Sequence, residues 1–350
     1  MKTLRLAING FGRIGRMLIR VFLARTDSFD HIQFVAINDI ADVDTLLHLL
    51  RFDSTHGKLS NMGVTASLWR NNQDTYLVLE KNRQPLAKIL LLAQANPQNL
   101  PWDSLDIDLV LECTGYFRSY DQANQHRRAG AKQVIIGAAP FDEVDASIVM
   151  GVNEQTLSRD LSVISGVSCT TQALVPLLHL LDKQLGLQSV MMTEIHAVTA
   201  DQMVLDHAHR DLRRARASGH NIIPTTSSSI NATERVLPQL QGKLNGHSIR
   251  VPTINVACID VNVVFEQNTT LTELQALLKN ASQTTLKGIM DYTDDPLVSS
   301  DFIGDGHSLV IDGQQLMQAN HQFKIFAWYD NEVGYANRLL DICQLLAKSH

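Results

Sequence analysis

Leu4-Arg5-Leu6-Ala7-Ile8-Asn9-Gly10-Phe11-Gly12-Arg13-Ile14-Gly15 is the stretch whose reading decides the fold. Leu4 to Ile8 reads as a short strand. Gly10, Gly12 and Gly15 follow in G-x-G-x-x-G spacing, and a helical pattern runs from Arg16 to about Ala24. Strand, glycine turn and helix in that order form a dinucleotide-binding turn: the glycines permit a tight bend and close backbone approach, and the helix N-terminus receives a pyrophosphate. The next apolar strand, Gln33 to Ile37, ends in Asn38-Asp39, an acid at the expected distance to bond a ribose 2′-hydroxyl. A carboxylate there repels a 2′-phosphate, so NAD is expected rather than NADP.

Composition sets outer bounds. The 350 residues are 45% hydrophobic and 19% charged, enough apolar material for two domains. A net charge of −6 offers no global basic field for nucleic acid. Leu4 to Ile8 runs straight into the glycine turn, so no signal peptide is expected, and no apolar run is long enough to span a membrane. Cys113, Cys169, Cys258 and Cys343 are scattered without C-x-x-C pairing, which argues against a zinc site or a disulfide framework and fits a reducing cytoplasm.

The chemistry is expected at Ser168-Cys169-Thr170-Thr171. A strand-like run, Leu161 to Ile164, precedes it, and a helical pattern with Leu174, Val175, Leu177, Leu178 and Leu181 on one face follows. Ser168 then reads as the N-cap, with Cys169 in the first turn, where free N–H groups and the helix dipole favour a thiolate. The alternative is a buried small hydrophobe. A nucleophilic cysteine needs a base, and His196, at the end of the strand-like run Val190 to Ile195, is the first histidine after the nucleophile's helix.

Elsewhere the residues read as scaffold. Asp53-Ser54-Thr55-His56-Gly57 is a polar loop with a structural histidine. Residues 61–92 alternate irregularly and suggest short strands and turns. Leu109 to Leu111 and Val134 to Ile136 are apolar strands that lead into Cys113-Thr114-Gly115 and Gly137, as expected where a sheet edge faces a cofactor. Residues 201–220 form a polar, arginine-rich segment, and Thr225 to Ser229 form a hydroxyl run. Ser248 to Ile254, Ala257 to Phe265, Ser308 to Ile311 and Phe323 to Trp328 are further strands. Their irregular spacing suggests a mixed or antiparallel second sheet, and a last helical run spans Val333 to Ala347.

Several of these stretches together resemble the glyceraldehyde-3-phosphate dehydrogenase family over essentially the whole chain. They are Ile8 to Arg16, Asp53 to Gly57, Ser168 to Thr171, Arg250-Val251-Pro252-Thr253 and Trp328-Tyr329-Asp330-Asn331-Glu332. Within the family, Asp211-Leu212-Arg213-Arg214-Ala215-Arg216, Pro101-Trp102, Cys113-Thr114-Gly115 and Val251 to Val256 are most similar to the erythrose-4-phosphate dehydrogenase branch, whereas Thr199 looks glycolytic.

The resemblance implies an α/β fold: a Rossmann-type NAD-binding domain, residues 1–168 completed by a C-terminal helix 332–350, and an α+β catalytic domain, residues 169–331. It implies a nucleophile, Cys169, and its base, His196. Ser168, Thr170, Thr199, Arg214, Ser227, Ser228 and Arg250 would bind substrate. Gly10, Gly12, Arg13, Ile14, Gly15, Asp39, Thr114, Gly115 and Asn331 would hold NAD, with no metal, in a homotetramer.

The implied reaction is oxidation of a phosphorylated sugar aldehyde through a cysteine thioester, with erythrose 4-phosphate favoured and phosphorylating oxidation of glyceraldehyde 3-phosphate as the alternative. A catalytically weak NAD-binding interaction protein is the reading from another class. The sequence departs from the family pattern at Gln172, Ala173, Gly166, Gly137, Ala95 and Ser228, which bear on cofactor affinity and on the acyl acceptor.

Overall fold

In the computed structural model, which describes residues 3–29 and 31–348, strand Leu4–Asn9 pairs in parallel with Ile32–Asn38 on one side and Leu109–Glu112 on the other. Four of its six residues in a row, Leu6 to Asn9, are buried, because both faces of a doubly wound sheet are covered. The chain order reverses at this strand, the switch point where such sheets bind ligands. Parallel pairing continues from Leu109–Glu112 through Gln133–Ile136 and Val163–Ser165 to Ala146–Ser147.

Helix Arg13–Ala24 begins at Arg13 rather than at Arg16. Gly12 is its extended N-cap, and Arg16 N–H already bonds Gly12 O at 3.1 Å. Gly10 turns the chain at φ +93°, and a Cβ there would come within 2.6 Å of Thr114 N. At Gly15 a Cβ would come within 2.2 Å of Gly10 O. These two glycines are therefore sterically required.

Residues 61–92 are more regular than their pattern suggests. Val64–Arg70, Thr75–Lys81 and Gln84–Leu92 form an antiparallel meander whose last strand adds in parallel to Ile32–Asn38. Large rings sit on its outer face, where Lys88 Nζ covers Trp69 at 3.5 Å and Tyr76 at 4.3 Å, and this blurs the polar–apolar alternation.

The chain divides into two units: 1–148 with 154–167 and 336–350, and 149–153 with 168–335. The first carries the nine-stranded sheet just described. Within it, Arg25 lies 3.7 Å from Asp341 of the last helix, Val333–Lys348. Residues 349 and 350 of the expected helix 332–350, like residues 1 and 2, lie outside the described residues.

The second unit is a mixed sheet. Its strands lie in the order Ile223–Thr225, Leu244–Val251, Leu187–Ala197, Ala257–Phe265, Gln322–Tyr329, Leu309–Asp312, Met290–Thr293. Leu187–Ala197 runs parallel to Leu244–Val251 and antiparallel to Ala257–Phe265. Helix Cys169–Leu185 is buried from Thr170 to Leu178 without a break, so it is a core helix rather than an amphipathic one. Among the described residues no helix is long and apolar enough to cross a membrane.

Candidate active site

Ser168 caps the helix that carries the nucleophile: its Oγ accepts the Thr171 N–H at 3.1 Å, and Cys169 occupies the first helical position. Val167, just before the cap, is held at φ +52°, a region a β-branched residue rarely enters. Cap and bend together fix where the thiol points.

His196 is set by register. It lies at the buried end of strand Leu187–Ala197, directly opposite Arg250 in the parallel neighbour. Its Nε2 lies 3.5 Å from Cys169 Sγ. Nδ1 lies 2.7 Å from Ala197 O and 3.0 Å from Arg250 Nη1. A carbonyl only accepts and a guanidinium only donates, so these two contacts call for opposite tautomers; with the proton on Nδ1 and bonded to Ala197 O, the Nε2 lone pair faces the sulfur, the tautomer a base needs.

The acidity of this thiol is not what a helix N-terminus alone suggests. Burial, with Glu194 nearby, pushes Cys169 up to about 12 against the lowering by Thr170 and Arg250. Burial and then Arg250 pull His196 down to about 4. Desolvation of the charged form thus opposes the ionisation that a helix N-terminus favours. Burial thus favours the neutral form of each partner, and the proton acceptor nearest the thiol is His196 Nε2.

Two residues that the sequence reading did not single out complete the cluster. Glu194 shares a strand face with His196, two residues away, and is 2% exposed. Thr170 Oγ donates to its Oε1 at 3.0 Å, and Tyr329 OH lies 2.8 Å from Thr170 Oγ. Since the Thr170 proton is committed to the carboxylate, the chain runs Tyr329 O–H to Thr170 O–H to Glu194. An acid alternating with His196 along an otherwise buried strand was the available signal.

The anion-binding candidates fall into separate hydrogen-bonded groups. Arg250 lies against His196. Arg214 donates to Asp201 at 2.5 Å and to Thr225 Oγ at 2.9 Å, so it is held by an acid and a hydroxyl. Ser227 and Ser229 hydroxyls are 2.6 Å apart, and Ser228 is the residue before helix Ser229–Val236. Thr199 N–H bonds Gln202.

The first unit holds a pocket of about 260 Å³ lined by, among others, Gly10, Gly12, Asp39, Ala95, Cys113 and Thr114. Asp39 closes one side, its Oδ2 accepting the Phe11 N–H at 2.7 Å and its Oδ1 the Ala41 N–H. Nothing lies within 4 Å of a Cβ built on Gly12, which leaves backbone open to a ligand. A carboxylate at one end and bare backbone at a helix N-terminus suit the ribose and pyrophosphate of NAD.

Thr114 is fixed by Glu112, which accepts its N–H at 2.8 Å and the Asn9 side-chain amide at 2.5 Å. His126 donates from Nε2 to Glu112 at 3.0 Å while accepting Trp102 Nε1–H at Nδ1, also at 3.0 Å. This buried polar core was missed because its members are far apart in the sequence.

Arg13, Ile14, Gly15 and Gly115 are not among the lining residues. Arg13 instead pairs with Asp53 at 2.6 Å. Burial alone would raise Asp53, but the His56 N–H and the Arg13 guanidinium outweigh it and hold it at about 2. Asn331 lies in the second unit, with its Oδ1 buried and without a partner among the described residues.

Comparison with known proteins follows the same two-part division. The family profile described as glyceraldehyde 3-phosphate dehydrogenase, NAD binding domain, matches residues 4–120, and the one described as its C-terminal domain matches residues 168–331. Glyceraldehyde-3-phosphate dehydrogenase 2 of Nostoc sp. (strain PCC 7120) is 44% identical over 347 residues, covering 99% of each chain. The protein of the same name from Bacillus subtilis (strain 168) is 44% identical over 345 residues, covering 98% of this chain and 96% of its own. Glyceraldehyde-3-phosphate dehydrogenase of Zymomonas mobilis is 40% identical over 349 residues, covering 99% of each. With a cysteine–histidine pair in one unit and a dinucleotide pocket in the other, the chain belongs to the glyceraldehyde 3-phosphate dehydrogenase family and is an NAD-dependent oxidoreductase acting on a phosphorylated aldehyde.

Proposed function

We propose that the chain oxidises a short phosphorylated aldose through a thioester on Cys169, with glyceraldehyde 3-phosphate as the aldose. The approach of Cys169 Sγ to His196 Nε2 at 3.5 Å carries the mechanism. The full-length likeness to enzymes named for the three-carbon substrate supports the choice of aldose. In this reading residues 1–168 with the C-terminal segment 332–350 hold NAD, residues 169–331 carry the chemistry, and the working assembly is a homotetramer.

The steps follow from the groups present. His196 Nε2 takes the thiol proton as the sulfur attacks the aldehyde carbon, giving a thiohemiacetal. The N–H of Cys169, left over in the first helical turn once Ser168 has capped Thr171, stabilises the oxyanion, while the Thr170 N–H faces Cys169 Sγ. NAD, when bound, supplies the acceptor for the hydride on that carbon. Loss of hydride from the carbon that bears the oxyanion leaves a thioester on Sγ, with the thiol proton still on His196. Inorganic phosphate then displaces the thiolate to give an acyl phosphate, and Cys169 recovers its proton from His196. Arg250, with Arg214, Thr199, Ser227 and Ser228, is the source of the anion contacts.

Erythrose 4-phosphate with hydrolytic release is the second reading, favoured by Arg213-Arg214 and by Val251 to Val256. NADH formation by the purified protein from each aldose, with and without inorganic phosphate, decides between them. Phosphate-dependent turnover of the triose supports the first reading. Faster, phosphate-independent turnover of the four-carbon sugar overturns it in favour of the second.

A further inference from the structure

Glu194 is a buried carboxylate that the proposed chemistry does not use. Its Oε1 accepts from Thr170 at 3.0 Å, while its Oε2 has no partner among the described residues. Arg250 carries the matching defect: its Nε is buried without a partner, and its Nη2 lies 3.8 Å from Glu194 Oε1, too far for a hydrogen bond. Two groups of opposite charge, each with one unpartnered polar atom, thus lie beside each other in a desolvated site, where an unmet polar atom is costly.

His196 supplies the reason. Its Nδ1 faces an acceptor, Ala197 O, and a donor, Arg250 Nη1, and it satisfies only one of them at a time. An arginine has no acceptor, so Arg250 binds Nδ1 only when that nitrogen is unprotonated, and Nε2 then carries the proton and is no base. With Nδ1–H on Ala197 O, the guanidinium needs another acceptor, and Glu194 is the acid beside it.

We propose that Glu194 is a positioning residue: it takes the Arg250 guanidinium away from His196 Nδ1, fixing the base-competent tautomer, and holds negative charge beside the Cys169–His196 pair. The inference rests on the cysteine–histidine mechanism above. The groups facing that pair are Glu194 from its own strand, Arg250 from the parallel neighbour, Tyr329 from the sheet beyond, and Arg214 from the 201–220 segment. Glu194 raises the pKa of the thiol and of the imidazole alike, while both arginines lower that of the imidazole. The carboxylate therefore disfavours a free thiolate and favours proton transfer onto His196.

The test substitutes Glu194→Gln, which still accepts the Thr170 hydroxyl but carries no charge, with Glu194→Asp as the charged control. Iodoacetamide, which has no phosphate to engage the anion site, reads Cys169 directly. Its rate at fixed pH between 7 and 9 is expected to rise about tenfold in Glu194→Gln, the size of a one-unit shift from removing a neighbouring charge, and to stay close to the unaltered chain in Glu194→Asp. Single-turnover oxidation is expected to fall about tenfold in Glu194→Gln and to be largely restored in Glu194→Asp, the scale of a misplaced general base.

An unchanged alkylation rate in folded Glu194→Gln overturns the proposal, including when turnover falls, since that combination marks a merely structural role. Should Glu194→Gln not fold, Glu194→Met, similar in length and uncharged, reads the same rate. If the unaltered chain oxidises neither aldose phosphate while the alkylation rate still responds to Glu194, the proposed function fails and the charge effect of Glu194 stands.

Discussion

Cys169 Sγ and His196 Nε2 lie 3.5 Å apart, although both groups are held in their neutral forms by burial. The pair and its zwitterion hold the same number of protons, so transfer within the site makes the thiolate without exchanging a proton with solvent. The arrangement protects the thiol when no aldehyde is present and activates it when attack begins.

Replacing His196 with Asn removes the proton acceptor while leaving the strand intact. Acylation is expected to slow about a hundredfold or more, the usual scale for a general base, with NAD affinity unchanged because the pocket lies in the first unit. Rapid-quench measurement of the first turnover checks this, and an unaltered rate removes His196 from the mechanism.

The depressed pKa of His196 also predicts a pH dependence of stability. The unfolded side chain titrates near its ordinary 6.5, whereas the folded one titrates at about 4. Between these values the unfolded state binds the extra proton, so this contribution is fully present above pH 6.5 and is lost as pH falls toward 4. The slope is at most about 1.4 kcal/mol per pH unit for one group. Denaturant titrations at pH 7 and pH 5 should show a smaller difference for His196→Gln than for the unaltered chain, and an equal difference contradicts the assignment.

Asp39 both closes the pocket and ties down the glycine turn through Phe11 N–H at 2.7 Å. Asp39→Asn is expected to raise the Kd for NAD about tenfold, a loss of about 1.4 kcal/mol, and to narrow the preference for NAD over NADP by removing the charge that repels a 2′-phosphate. Calorimetric titration with both dinucleotides reads both effects. A preference that stays as wide as before assigns discrimination elsewhere.

His126 is fully buried between Trp102 and Glu112. His126→Ala leaves an indole N–H and a carboxylate short of a partner and opens a cavity, and is expected to cost about 3 kcal/mol. Urea unfolding should show a lower midpoint at an unchanged slope. A midpoint equal to that of the unaltered chain contradicts the network.

What could be read from the sequence was local. The glycine turn at Gly10 to Gly15 and the Ser168 cap are set by neighbours a few residues apart, so spacing exposes them. Residues 64–92 hid a regular meander because Lys88 lets Trp69 and Tyr76 occupy an outer face. Glu194 and the Glu112–His126–Trp102 core escaped because their partners meet only in the tertiary fold, with Thr170 and His126 on helices and Trp102 in a turn. The surroundings of Cys169 escaped for a related reason: its helix position is visible in sequence, but its burial and the nearby Glu194 are not. The pairing of Arg13 with Asp53, a residue 40 positions away, is likewise not visible in local spacing.

The central claim is that Cys169 carries the acyl group while hydride leaves. Intact-mass measurement of the enzyme quenched during the first turnover with glyceraldehyde 3-phosphate and NAD, in the absence of inorganic phosphate, tests it most directly. The account predicts one acyl adduct per chain, mapped to Cys169, formed in step with one equivalent of NADH and absent from Cys169→Ala. NADH formed without an adduct on Cys169, or sustained turnover by Cys169→Ala, would contradict it.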